Sequence, residues 1–513
     1  MNPTLAGRWR QAVAANPDGT FLVWEGPDGA TRTWTYAAFD GLVARVAGGL
    51  VARGVDTASV VHLVLANSPA FVATWLAATR LGAVVVPSDP GSTAPELAGH
   101  IDRTSPVVAV VGAGRALTYE DARSIATAAP YVIAVGESDT ELEALSGEPV
   151  DWTNRPEPAP LDRAAVMFTS GTTSAPKGVV VTQANYAFAG DVMAAAAGLG
   201  PADRQLVVLP LFHANAQYYS FASAISAGAS VALMPTFSAS GFLAQAARHE
   251  ATHASLFAAP MRMILARGAT PVEGLRLRHC WYAQNITNDQ YETLAGLLGC
   301  RPRQLYGMTE TIPAVLTSRA LHPVASLMGE QTLGCRIELR RQDDGGLVEI
   351  GEVGEVVVGG EPGLTLFAEY LDDPTTTAAS YRDGWFRTGD LARVDVDGRF
   401  AFAGRRSDVL KVAGENVSVV EVEAVLTEHP SVLEAAVVGE PDPIRDEVPV
   451  GYVVARPDRP PVTAGELMEW CEGRLTKSKR PQRVELVEEL PRTSVGKIRK
   501  FLLTSDQAVG SSR

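Results

Sequence analysis

The ten residues Thr169-Ser170-Gly171-Thr172-Thr173-Ser174-Ala175-Pro176-Lys177-Gly178 constrain this chain more than any other stretch. They lie between two β-like runs, 164–168 and 179–181. Small residues let a backbone approach a ligand closely, and consecutive N–H groups can form an anion-binding nest. The hydroxyls add donors and Lys177 adds a mobile charge. The stretch reads either as a phosphate cradle or as a plain polar hairpin between two strands. It is not a Walker-type loop, because Lys177 precedes Gly178, whereas that motif needs Gly-Lys followed by Ser or Thr.

At 513 residues the chain is too long for a single core, so more than one domain is expected. Hydrophobic residues at 46% and charged residues at 20% describe an ordinary globular protein. A net charge of −14 argues against a nucleic-acid surface but leaves a nucleotide ligand open. Cys280, Cys300, Cys335 and Cys471 form no Cys-x-x-Cys pair. Neither a disulfide framework nor a structural zinc is expected, and a cytoplasmic location fits. The N-terminus has no apolar signal core. The apolar run 60–86 is broken by Asn67, Pro69 and Arg80, so it reads as buried strand and helix with no membrane span.

Along 1–160 helix and strand alternate: helix 36–53, strand 60–65, helix 69–81, strand 83–87. The rhythm resumes with strand 205–209, helix 216–227, strand 230–234 and helix 241–247, then strands 254–257 and 279–282. The pattern predicts an α/β fold with parallel-type sheets covered on both faces. From Gly329 short strands with Asp-Gly turns (335–340, 355–358, 391–395, 399–403) predict an antiparallel, barrel-like subdomain. Residues 409–513 read as a small α+β unit, with helices 420–428 and 464–474 and strands 435–439 and 448–455. A boundary near Ser407 divides a large domain, 1–406, from a small one, 407–513.

His249-Glu250-Ala251-Thr252-His253 matches the His-Glu-x-x-His zinc signature. That chemistry needs both histidines on one helical face. Here the helical pattern ends near Arg248 and a strand runs through 252–257, so a helix-to-strand junction is the better reading.

Three further motifs stand at wide spacing. Gln304-Leu305-Tyr306-Gly307-Met308-Thr309-Glu310-Thr311 offers an aromatic ring to stack on a base, a hydroxyl for a phosphate and a carboxylate for Mg²⁺. Asp383-Gly384-Trp385-Phe386-Arg387-Thr388-Gly389-Asp390-Leu391 places a carboxylate that can accept ribose hydroxyls. The basic loop Pro491-Arg492-Thr493-Ser494-Val495-Gly496-Lys497 carries a lysine able to neutralise a reacting phosphate. Each taken alone is a turn, a solvated carboxylate or a basic tail.

Together, in this order, they resemble the adenylate-forming superfamily of acyl- and aryl-CoA synthetases, luciferases and adenylation domains, over nearly the whole chain. The resemblance implies an ATP-dependent acyl-CoA synthetase that makes an acyl adenylate and pyrophosphate, then passes the acyl group to CoA. It implies that Thr169, Ser170, Gly171, Thr172, Thr173 and Lys177 grip the β- and γ-phosphates, with Thr169 also near Mg²⁺. Gln304 belongs to the nucleotide side, Tyr306 stacks on adenine, Thr309 stands near the α-phosphate, Glu310 binds Mg²⁺, and Asp390 and Arg405 hold the ribose. Lys497 bridges the substrate carboxylate and the α-phosphate. His213 stands beside the acyl group, and the implied pocket includes Tyr218, Trp281, Gln284, Asn285 and Met308. The small domain is implied to rotate about Ser407, a position often Asp or Lys, and Gly414 to line the pantetheine tunnel.

Some positions depart from the family pattern. Trp281-Tyr282-Ala283-Gln284-Asn285-Ile286-Thr287 stands where Gly-Gly-Ala-Pro is usual, and Val419 where proline often follows. Residues 307–312, 414–418 and 444–447 look like the carnitine/crotonobetaine-CoA ligase branch. A betaine substrate wants an aromatic partner, which Trp281, Tyr218 or Tyr219 could supply, although these could equally wall a bulky apolar acid. No acidic residue occurs in 205–240, which disfavours an amino-acid substrate. The Ala-, Gly- and Arg-rich composition suits a bacterial enzyme of secondary metabolism. Two other readings are an acyl-AMP ligase loading a carrier protein and an inactive nucleotide-binding protein; Lys497 and Glu310 speak against the second. A homodimer is compatible with the sequence.

Overall fold

The structure is a computed structural model that describes residues 3–169, 176–412, 415–457, 459–492 and 498–503. Ser170, Gly171, Thr172, Thr173, Gly414 and Lys497 therefore lie outside the described residues. The chain groups into two compact units. The first is Met1–Ser170, Pro176–Ile337 and Val358–Phe386; the second is Gly171–Ala175, Glu338–Val357 and Arg387–Arg513.

Local chemistry explains the elements of the first unit. The helix Pro69–Leu81 starts where the Ser68 side chain accepts from the Phe71 amide and Pro69 fills the first turn. It stops at Gly82, whose φ of 71° is left-handed. Every residue of this helix is buried, so it reads apolar on all sides and runs inside the unit. The all-buried strand Val84–Pro87 follows it directly.

Two sheets form the first unit. The seven-stranded sheet has the order Glu369–Tyr370, Lys177–Thr182, Arg163–Thr169, Val84–Pro87, Val60–Val64, Val108–Gly112, Tyr131–Val135. It is not all-parallel as the sequence suggests. Arg163–Thr169 and Lys177–Thr182 form an antiparallel hairpin, and Glu369–Tyr370 adds antiparallel to its outer edge. A connection this short permits only an antiparallel return.

The nine-stranded sheet has the order Glu330–Gln331, Leu316–Thr317, Arg303–Tyr306, His279–Ala283, His253–Phe257, Arg204–Val207, Ser230–Leu233, Thr20–Glu25, Thr31–Thr35. Its interior pairs are parallel. From Arg204–Val207 the chain first steps to one side, to Ser230–Leu233, and then fills the other side in turn. Ligands of open α/β sheets bind beyond the carboxyl ends of strands near such a reversal. His213 lies on the segment leaving Arg204–Val207, and Gln284 and Gly307 lie just past their own strands.

The single helix expected over 216–227 is a π-helix, Asn215–Ala222, followed by a short α-helix, Ser223–Ala227. All eight π-helical residues are buried, and Gln217 holds the wide turn by bonding the Tyr186 hydroxyl and the Leu211 carbonyl. The zinc-like motif falls as its residues suggest. The helix Phe242–Arg248 ends before His249, and His253 opens the strand His253–Phe257. His249 Nε2 meets Glu25 Oε2 at 2.5 Å, whereas His253 Nδ1 meets Thr252 Oγ1 at 2.8 Å.

In the second unit Val432–Asp442 and Asp446–Ala455 pair antiparallel, and Arg483–Leu486 joins the latter in parallel. The helices Val419–Thr427 and Ala464–Glu472 bury Val422, Leu426, Leu467 and Cys471 in the same core. The strands Arg336–Arg340, Val353–Gly359 and Trp385–Val394 each begin in one unit and end in the other. Among the described residues no helix is long and apolar enough to cross a membrane.

An aromatic cluster anchors the N-terminal part of the first unit. Phe21 is fully buried, with ring centroids 4.7 Å from Trp9, 5.0 Å from Tyr36 and 5.1 Å from Phe39. Phe21→Ala is expected to cost about 3–5 kcal/mol. Denaturant unfolding followed by tryptophan fluorescence checks this, and an unchanged midpoint would contradict the packing.

Candidate active site

The hairpin brings Thr169 and Lys177 into register, with Thr169 Oγ1 3.5 Å from the Lys177 carbonyl oxygen. Lys177 Nζ lies 4.7 Å from the centroid of the Tyr370 ring. Tyr370 occupies the edge strand that pairs with the second rail, opposite Val179. Its hydroxyl donates to Glu310 Oε1 at 3.0 Å. Burial, and then the neighbouring Glu310 carboxylate, push the Tyr370 phenol far above its ordinary range, so it stays a protonated donor. Glu310 itself is 4% exposed, and its carbonyl accepts from the Phe367 amide at 2.9 Å. Residues from three separate stretches, Lys177, Glu310 and Tyr370, thus meet in one cluster.

The loop carrying Glu310 is pinned from inside. Thr311 is fully buried, its Oγ1 accepts from the Met308 amide at 3.0 Å, and it lies 3.1 Å from the Pro313 carbonyl. Thr309 stays half-buried between them. Gly307 cannot be larger. A Cβ there would sit 2.8 Å from Ala314 Cα and 3.1 Å from the Tyr219 hydroxyl. Tyr306 ends the preceding strand, buried, and its carbonyl accepts from the Val315 amide at 2.8 Å.

Gln304, expected on the nucleotide side, comes together with Gln284 and Asn285, expected in the acyl pocket. Gln304 Nε2 donates to the Gln284 carbonyl at 3.2 Å and to Asn285 Oδ1 at 2.9 Å. Gln304 Oε1 is buried with no partner among the described residues. Gln284 holds a left-handed backbone, φ 74°, although it is not glycine.

Around the expected acyl side, His213 is half-buried, edge-on to Phe257 with centroids 5.7 Å apart. Its Nδ1 accepts from the Asn215 amide at 3.3 Å. Ser255 and Trp281 are register partners on adjacent parallel strands, on the same face as Phe257. Ser255 Oγ, Trp281 Nε1 and both amide atoms of Asn215 are buried with no hydrogen-bond partner among the described residues. Tyr218 is fully buried, its hydroxyl 3.7 Å from Met167 Sδ and its ring edge-on to Tyr186. The tyrosine that approaches the Gly307 loop is Tyr219.

In the second unit Asp390 and Arg405 are register partners, and Arg405 Nε meets Asp390 Oδ1 at 2.9 Å. Arg387 donates to the buried Glu355 at 2.5 Å, and the Gly389 amide donates to the same side chain at 3.2 Å. Thr388 Oγ1 donates to the Val356 carbonyl and accepts from the Asp390 amide at 3.1 Å. Asp390 is therefore held from both sides. Ser407 lies in the short turn Arg406–Asp408 between two strands. Lys500 pairs with Glu423 at 2.7 Å and stands 3.8 Å from Asp408.

These residues suit the groups the sequence implies. Gln304 Oε1 is a buried acceptor lacking a donor, which a base bearing an amino group supplies. Glu310 is a buried carboxylate beside a phenol, a hard oxygen donor that suits Mg²⁺. Sequence reasoning did not single out Tyr370 or Phe367. Nothing local to them signals the role, because it arises from strand pairing.

Comparison with known proteins agrees with this geometry. The family described as AMP-binding enzyme matches residues 9–371, and the AMP-binding enzyme C-terminal domain matches 421–497. A crotonobetaine/carnitine–CoA ligase of Salmonella heidelberg is 31% identical over 505 residues, covering 96% of this chain and 97% of that protein. The o-succinylbenzoate CoA synthetase of Bacillus subtilis, solved with its acyl-adenylate intermediate, superposes with a TM-score of 0.84 at 27% identity, covering 98% of both chains. ATP-bound MatB from Rhodopseudomonas palustris shares the fold with a TM-score of 0.88 at 24% identity, again over 98% of both. The chain belongs to the AMP-binding enzyme family, as an ATP-, Mg²⁺- and CoA-using acid–thiol ligase that forms an acyl adenylate and then an acyl-CoA.

Proposed function

We propose that the Lys177–Tyr370–Glu310 cluster and the Asp390–Arg405 pair are the ATP-binding groups of this reaction, and that the acid carries a hydrogen-bonding group besides its carboxylate. The observation carrying the first part is the buried Glu310 carboxylate held by Tyr370, with the Lys177 charge over the same ring.

In the first half-reaction a carboxylate oxygen of the acid attacks the α-phosphorus of ATP. The bond to pyrophosphate breaks and its electron pair leaves with it. Two anions must meet, so a cation between them lowers the barrier. Lys497, on the basic loop of domain 407–513, takes that role. Thr309 holds an α-phosphate oxygen, Lys177 the outer phosphates, Tyr306 the base, and Asp390 the ribose. Glu310, with Thr169, would hold Mg²⁺, whose charge stabilises the leaving pyrophosphate. In the second half-reaction the CoA sulfur attacks the acyl carbon, AMP departs with the bonding pair, and the thiol proton is released. Rotation about Ser407 separates the two steps, and Gly414 admits the pantetheine. A cytoplasmic site and a homodimeric assembly belong to the same proposal; size-exclusion chromatography with light scattering tests the assembly.

The acid's class follows from Ser255 Oγ, Trp281 Nε1 and the Asn215 amide. Buried donors and acceptors without partners cost about 1–3 kcal/mol each, which a hydroxyl, carbonyl or amide on the substrate offsets and a hydrocarbon does not. In a pyrophosphate-release screen, hydroxy- and oxo-acids are expected to exceed alkyl and betaine acids of the same size in kcat/KM. Ser255→Ala should narrow the gap. Equal rates for matched alkyl acids would refute the assignment.

Lys497→Ala is expected to lower adenylation about 100- to 1000-fold with MgATP binding kept; unaltered turnover would refute Lys497's role. Gly414→Leu should slow thioester formation more than pyrophosphate release, as measured by single-turnover assays of each step. Equal losses would contradict the tunnel.

A further inference from the structure

The helix Ala94–Thr104 is fixed by features that do not involve the site. Thr93 and Glu96 close a capping box at its start. Leu97, Ala98 and Ile101 bury in a core with Val64, Ala109, Val111 and Tyr119. This leaves His100 and Arg103, three residues apart and so neighbours on the helix surface, turned towards the phosphate hairpin. The His100 ring stacks on Phe168, with centroids 4.0 Å apart and planes at 5°. The Arg103 guanidinium carbon lies 4.9 Å from the same ring centroid, and Arg103 Nη1 donates to the Pro176 carbonyl at 2.5 Å. Phe168 in turn faces Gly178, its register partner, where a Cβ would come within 3.3 Å of Phe168 Cε1.

Behind His100 runs a buried line of hydrogen bonds. His100 Nδ1 is 2.8 Å from Ser88 Oγ, Ser88 Oγ is 2.8 Å from His62 Nε2, and His62 Nδ1 is 2.8 Å from the Tyr119 hydroxyl. Burial pushes His62 down to about 3 and His100 to about 4, so both rings are neutral near pH 7. A neutral imidazole has one donor and one acceptor and a hydroxyl can serve as either, so the whole line can be satisfied, with the direction of donation set by the histidine tautomers. In either direction Tyr119, His62, Ser88 and His100 are joined in one unbroken line of hydrogen bonds. The orientation of the His100 ring is thus set from the core outward.

We propose that His100 and Arg103 are positioning residues for the ATP phosphates, gripping each rail of the hairpin one residue before a phosphate ligand. Phe168 precedes Thr169 and Pro176 precedes Lys177, so the two held points are the neighbours of the two register-paired ligands. Neither residue touches substrate. This inference rests on the reading of Thr169 and Lys177 as phosphate ligands, and it goes further by naming what fixes them. Small displacements of a binding group can cost much of its effect, which makes a clamp on both rails consequential.

The test is steady-state pyrophosphate release with Arg103→Ala, His100→Ala and His100→Phe, together with MgATP binding by calorimetry. Arg103 is exposed, so Arg103→Ala should fold normally. It is expected to raise the KM and Kd for ATP about 3- to 10-fold, the scale of one exposed charged hydrogen bond with a cation–ring contact. The KM for the acid and the thermal midpoint should stay put. His100→Ala should act in the same direction, and His100→Phe, which keeps a ring on Phe168, should recover part of the loss. An unchanged ATP KM in Arg103→Ala, or an equal rise in the acid KM, would overturn the clamp while leaving the ATP site intact. Wild-type protein that binds no MgATP would overturn both the clamp and the site.

Discussion

The arrangement depends on a carboxylate that the fold keeps out of water. An isolated buried carboxylate is costly, and it survives only with donors or cations around it. Glu310 has the Tyr370 hydroxyl at 3.0 Å, and Lys177 brings positive charge to the other side of that phenol ring. These groups come from distant parts of the chain. They meet because Glu369–Tyr370 adds to the free edge of Lys177–Thr182, and because the hairpin keeps Thr169 opposite Lys177. A one-residue slip of that hairpin would turn Lys177 to the other face of the sheet. Register is therefore a functional quantity here, and the packing of Phe168 between Gly178 and His100 is one thing that fixes it.

Much of this can be read from the sequence where the signal is local. Helix Pro69–Leu81 carries its own cap, proline and terminal glycine, and its bounds match the expectation residue for residue. The grouping of Asp390 with Arg405 follows from motif order once the family is known, whereas the contact of Gln304 with the 284–285 stretch does not. Pairing in space is less accessible. Tyr370 stands sixty positions from its Glu310 partner and resembles any strand tyrosine. The π-helix Asn215–Ala222 has the apolar content of a buried α-helix, so sequence pattern does not distinguish its wider turn. The parallel reading of the seven-stranded sheet missed its antiparallel edge, because burial patterns show that a strand is covered and not which way its neighbour runs.

The least expected residue is Gln284. Only glycine adopts a left-handed backbone without strain. Here the backbone keeps φ 74° with a full side chain on it, at a cost of about 1–2 kcal/mol. The bond from Gln304 Nε2 to the Gln284 carbonyl, and its companion to Asn285, help to hold the strained turn. The same glutamine leaves its Oε1 without a donor. One side chain thus both supports the strained turn and carries a buried acceptor with no partner among the described residues. The strained turn and the acceptor are coupled: a change that relaxed the turn at 284 would also release Gln304 Nε2 from the Gln284 carbonyl.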